Sequence, residues 1–215
     1  MIKEFCSENF TLIPKAIASG ARRIELCDNL AVGGTTVSTG VMEETILYCH
    51  EKEVAVMAII RPRGGNFIYT DTELKIMHTD IIEAKKLGVD GVVFGCLNES
   101  GWLDEEAMTR LIEAAEGLQM TFHMAFDDMS PDKQFEAIDW LTENGVHRIL
   151  THGGPAGTPI EQNLEYINDL ISYANNRIII MPGGGITYRN AEAVSGFLKA
   201  NELHGTKIVN LNVLK

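Results

Sequence analysis

No stretch of this chain approaches the roughly 20 consecutive apolar residues that a membrane span requires, although 45% of its residues are hydrophobic. The start, Met1-Ile2-Lys3-Glu4-Phe5-Cys6, lacks the basic segment and apolar run of a secretory signal, so a cytoplasmic location is expected. Positive charge is scarce: 18 Lys and Arg face 30 Asp and Glu, a formal net charge of −12. Such a surface repels phosphate backbones and anionic lipid, which excludes nucleic acid and membranes as expected partners. Cysteine is sparse too. Cys6, Cys27, Cys49 and Cys96 are widely spaced and form no CxxC pair, so four free thiols are expected rather than a disulfide framework. No low-complexity segment, linker or domain boundary divides the 215 residues, which read as a single domain, 1–215.

What is present is a repeated unit: a short apolar run, a polar or glycine-rich loop, then a segment of helical period. The expected strands are Ile2–Cys6, Arg23–Cys27, Val54–Ile60, Gly91–Gly95, Gln119–Ala125, Arg148–Thr151, Arg177–Met181 and Glu202–Gly205. They are apolar and short, as strands covered on both faces are. Between them, Asp71-Thr72-Glu73 opens a helix with Leu74, Met77, Ile81, Ile82 and Leu87 at helical spacing, and Gly88 closes it. Ser130-Pro131 opens another, ending at Gly145. The first helix follows Asn9 and ends at Gly20, and the seventh spans Tyr188–Ala200. Eight units predict a (β/α)8 (TIM) barrel rather than a doubly wound open sheet of five or six strands. About ten residues follow the eighth strand, so the eighth helix is expected to be short or missing. A second subunit covering that side, in a homodimer, is the other reading.

In such a barrel the loops after the strands build the site. Period-two alternation puts Glu4 with Cys6 on one face of the first strand and Glu25 with Cys27 on one face of the second. His123 and Asp127 share parity in the expected fifth strand, Thr151 ends the sixth and His204 lies in the eighth. His123 is the general acid–base candidate because imidazole titrates near neutrality, with Glu25 or Asp127 to orient it or share its proton. Alternatively it is a satisfied core histidine. Arg61-Pro62-Arg63-Gly64-Gly65 sets two guanidiniums beside paired glycines, able to grip a carboxylate or phosphate. Alternatively these arginines pair with Glu25 or Asp127. Gly183-Gly184-Gly185 after the seventh strand sits where barrels often bind phosphate through backbone amides, or it is a tight turn needing positive φ. Thr151 completes the expected anion-binding set. Cys6 and Cys27, at the ends of adjacent strands, form a soft donor pair suited to Cu(I), or else two small buried hydrophobes. Cys49 and Cys96 are read as structural, and Met57, Met120, Met124 and Met181 mostly as core.

Six blocks in order resemble the CutC family: Arg23-Ile24-Glu25-Leu26-Cys27-Asp28 with Leu30–Thr36, Ile60-Arg61-Pro62-Arg63-Gly64-Gly65, Gly91–Gly95, Thr121-Phe122-His123 with Ala125-Phe126-Asp127, Arg148–Thr151, and Met181–Ile186. The match runs nearly end to end. The resemblance implies a cytoplasmic TIM barrel assigned to copper homeostasis, with Cu(I) held by Cys27 and its neighbour Cys6. Met124, where an arginine commonly follows the histidine, and His152, where a serine commonly precedes Gly-Gly, depart from the family pattern. The residues alone leave a second function open: an isomerase, aldolase or lyase acting on a small phosphorylated or carboxylated metabolite. No lysine occupies an obvious inward strand position, which disfavours a Schiff-base aldolase.

Overall fold

The structure, a computed structural model, describes residues 1–155 and 157–212. Its elements alternate strictly: β1 (Ile2–Glu8), α1 (Ile13–Ala18), β2 (Arg23–Cys27), α2 (Thr39–His50), β3 (Ala55–Ile59), α3 (Asp71–Leu87), β4 (Gly91–Phe94), α4 (Glu105–Ala114), β5 (Gln119–Phe122), α5 (Pro131–Glu143), β6 (Arg148–Thr151), α6 (Leu164–Ala174), β7 (Ile179–Pro182), α7 (Ala191–Leu198) and β8 (Glu202–Gly205). All seven strand ladders are parallel, in the order β7-β6-β5-β4-β3-β2-β1-β8. Sequential order with no reversal is a barrel and not a doubly wound sheet. Between β7 and β8 no ladder forms, and the seam is held just above them, where Tyr188 N–H donates to the Lys207 carbonyl at 2.8 Å. A Cβ on Gly205 would stand 2.5 Å from the Ile186 carbonyl oxygen, so only glycine lets β8 approach that loop. No helix follows β8 among the described residues.

Alternation along the strands sorts two cores. Phe5, Ile24, Leu26, Val56 and Ala58 pack outward against the helices, while Cys6, Cys27, Met57, Ile59 and Val93 form a separate apolar cluster inside the barrel. Side chains cap the starts of α2, α3 and α4. Thr70 and Glu73 form a reciprocal capping box at the start of α3, and Gly88 ends it at φ +91°.

Several element bounds differ from the sequence reading. β1 continues to Glu8, β7 begins only at Ile179, and α1 and α7 are shorter than expected. The consequential difference is at β5, which stops at Phe122. There the His123 Nδ1 accepts the Ala125 N–H at 3.2 Å and starts a 3-10 turn, Met124–Asp128. The expected strand parity of His123 with Asp127 is therefore lost.

Candidate functional site

The floor of the barrel is an ionic layer. Cross-strand register sets Glu4 beside both Arg23 and His204. Arg23 pairs with Glu4 and, at 2.6 Å, with Glu202, which also meets Arg148 at 2.7 Å. All of these groups are buried, and each charge has an opposite partner, the condition under which buried ions are tolerated.

One layer higher, adjacency of β1 and β2 brings Cys6 and Cys27 together with their sulfurs 3.8 Å apart. Both are free and buried, Cys27 completely. The Cys27 thiol donates to the Ser7 carbonyl at 3.4 Å and the Cys6 thiol to Glu25 Oε1 at 3.5 Å. Gly34, at φ +91°, closes over them: a Cβ there would lie 3.3 Å from the Cys27 Cβ. The hydrogen bond between Cys6 and Cys27, burial, and the neighbouring Glu25 carboxyl together push the Cys6 thiol well above its ordinary range.

His204 links this layer to the floor. Its Nδ1 meets Glu4 Oε1 at 2.8 Å and its Nε2 lies 4.0 Å from Glu25 Oε1. Burial opposes charge on this imidazole, but the field of Glu25 and the bond and charge of Glu4 outweigh it, and His204 holds its proton above the usual histidine range. Glu4 is correspondingly held down at about 2: burial would raise it, and His204 and Arg23 overcome that. Glu25 goes the other way, raised chiefly by burial, and its Oε2 has no partner among the described residues. Donor atoms of Cys6, Glu25 and His204 all lie within 4.8 Å of one another, a compact set of mixed softness.

Above the thiols the barrel opens into a cavity of about 610 Å³, whose walls include Cys6, Glu25, Arg61, Phe67, His123 and His204. Arg61 is buried, and its guanidinium donates to three carbonyls: Val32 at 2.8 Å, Gly34 at 3.0 Å and Gly65 at 2.7 Å. It stacks on Phe67, which in turn lies 4.7 Å, centroid to centroid, from the His123 ring. Burial and the Arg61 charge push His123 down to about 3, so its imidazole is neutral and does not titrate near neutrality as expected. With Nδ1 accepting from Ala125, the ring proton sits on Nε2.

The cavity therefore gathers Cys6, Glu25, Arg61, His123, Met124, Gly184, Gly185 and His204 from the residues singled out in the sequence, with Cys27 beside Cys6. The others lie off its walls. Arg63 turns outward to Glu73 of the α3 capping box at 2.5 Å and to the carbonyls of Gly64, Asn66 and Ile68. Neither arginine pairs with Glu25 or Asp127. Asp127 clamps the next loop, accepting from Thr151 Oγ1 at 2.5 Å and the amides of His152 and Gly153 at 2.8 and 3.3 Å. Gly183 spends its amide on the Thr151 carbonyl at 2.9 Å. His152 fixes the glycine turn by donating from Nδ1 to the carbonyls of Gly183 and Gly184, and the Met124 methyl packs beside the same turn. Sequence reasoning missed Phe67 and Lys207 as wall residues and gave Glu4 no role in setting His204. An aromatic six residues beyond an inward arginine carries no periodic signal, whereas Glu4 was legible by its parity with Cys6.

A model of the CutC family matches residues 1–209. A CutC family protein from Enterococcus faecalis is 69% identical over 209 residues, covering 97% of this chain and 100% of that protein. The human copper homeostasis protein cutC homolog is 40% identical over 203 residues, 94% of this chain and 72% of its own length. The crystal structure of CutC from Streptococcus agalactiae superposes with a TM-score of 0.95 at 46% identity, over 97% of this chain and 100% of that one.

Proposed function

Because the chain belongs to the CutC family, we infer that it serves copper homeostasis by binding Cu(I) between Cys6 and Cys27, in the reducing cytoplasm that its free thiols suit. The observation carrying this reading is the sulfur pair itself: two buried thiols 3.8 Å apart on adjacent strand ends. That gap is too wide for a disulfide, which needs about 2.05 Å. The two sulfurs would hold a soft metal ion placed between them. Thiolates are soft donors that favour Cu(I) over hard cations, and Met57 lies in the same apolar cluster.

Charge balance supports the same reading. A Cu(I) ion between two thiolates carries one net negative charge, which the neighbouring His204, biased toward its protonated form, offsets. Cys6 lines the cavity and gives the ion an entry from the barrel mouth, and Cys27 lies buried beside it. Anaerobic titration of the reduced protein against a Cu(I) chelator tests this. One ion per chain should be withheld from the chelator by the native protein, and Cys27→Ser should lose it. Unchanged retention in that variant would remove the proposed site.

A further inference from the structure

The cavity is far larger than a metal ion, and its upper half carries a chemistry that the thiol pair does not use. We propose that the barrel mouth binds a small organic oxyanion, a carboxylate or phosphate ester with an apolar body, whose charged end meets the Arg61 guanidinium and the His123 Nε2–H.

The case begins with Arg61. Only 4% of its surface is exposed, yet among the described residues no carboxylate oxygen lies within 4.0 Å of its guanidinium. Its three hydrogen bonds go to neutral carbonyls, and two of its five N–H donors remain, Nε–H among them. Asp128 feels its charge only at longer range, and the Tyr69 hydroxyl lies beside it without reaching hydrogen-bond geometry. A permanent charge buried without a counter-ion is what an anionic ligand would complete. Arg23 and Arg148, the other buried arginines among the described residues, both pair with carboxylates.

His123 supplies the second observation. It is 95% buried by the same measure (5% exposed), lines the cavity, and its Nε2 has no partner among the described residues. Leaving such a donor unmet costs about 1–3 kcal/mol, which an acceptor in the cavity would recover. Phe67 packs against both, 4.8 Å from the Arg61 guanidinium carbon and 4.7 Å from the His123 ring, and all three line the same cavity. Gly184 and Gly185 also line the cavity, their amides have no acceptor among the described residues, and Lys207 is a further lining residue.

Size and polarity define the rest of the ligand. A volume of 610 Å³ falls within the roughly 300–1,000 Å³ of small-molecule pockets. Leu30, Val32, Leu150 and Ile186 supply an apolar wall for the body of the molecule. The unpaired Glu25 Oε2 is the one group in the cavity that opposes an anion, and its other oxygen faces the thiols rather than the mouth. Carboxylate and phosphate share the acceptor chemistry required.

The test uses the reduced, metal-free protein, so its failure is distinct from failure of the copper reading. Benzoate and phenyl phosphate are titrated while backbone amide resonances are followed, with benzyl alcohol and benzylammonium as neutral and cationic counterparts. Saturable shifts of the Gly184 and Gly185 amides are expected with at least one anion, at about tenfold or more higher affinity than either counterpart. Whichever anion binds more tightly identifies the charged group. His123→Phe, with folding verified by circular dichroism, should weaken that anion by about tenfold. Equal affinity for benzyl alcohol, or no saturable shift with either anion, would overturn the proposal whatever the variant does.

Discussion

Glu4 Oε1 and His204 Nδ1 meet at 2.8 Å across the β1–β8 ladder, joining residues 200 positions apart in the chain. Glu4 also pairs with Arg23, so its single carboxylate contacts two buried cations. Glu4→Gln should cost about 3–5 kcal/mol of unfolding free energy, the usual penalty for breaking a buried ion pair from one side. The sign of the acid dependence follows from its lowered carboxyl. Stability from Glu4 is complete above its ordinary 4.5 and is lost as pH falls toward about 2. Urea unfolding from pH 6 to pH 2.5 should therefore show a steeper acid loss in the native chain than in the variant.

His123 makes a separate prediction at milder pH. Its value drops from an ordinary 6.5 to about 3 on folding, so between these limits the unfolded chain binds the proton and the folded chain does not. Stability should then fall as pH is lowered from 6.5. The difference between the native protein and His123→Phe, measured by urea unfolding between pH 7 and pH 4.5, isolates this group. A native-minus-variant stability that rises or stays flat on acidification would contradict the buried, neutral assignment.

Closure of the barrel at its unladdered seam rests on Gly205. Gly205→Ala places a methyl group 2.5 Å from the Ile186 carbonyl and should destabilise by about 1–3 kcal/mol, as overpacking does. Gly196→Ala, in α7 with nothing within 4 Å of the added carbon, should be neutral or stabilising by about 0.4–1 kcal/mol. Thermal unfolding of the two variants side by side measures the contrast.

The strand count, the parallel order and the inward pairing of Glu4 with Cys6 and Glu25 with Cys27 were legible because alternation and glycine punctuation are local signals. Absolute facing was not: it took the packing of Phe5, Ile24 and Leu26 on the helices to put the cysteines inside. The end of β5 was hidden because His123 caps its own turn through a side-chain bond that no period reports. Arg63 could not be told from Arg61 by sequence, since both follow β3 at the same parity. The difference is tertiary, with Glu73 at the start of α3 drawing one outward while the Val32 and Gly34 carbonyls hold the other in.

The copper site is tested most directly by the X-ray absorption fine structure of the Cu(I)-loaded protein at the copper edge. Two sulfur scatterers in the innermost shell are predicted for the native protein, and neither Cys6→Ser nor Cys27→Ser should retain a two-sulfur shell. A shell of nitrogen and oxygen alone, or a sulfur shell that survives both substitutions together, would contradict the assignment.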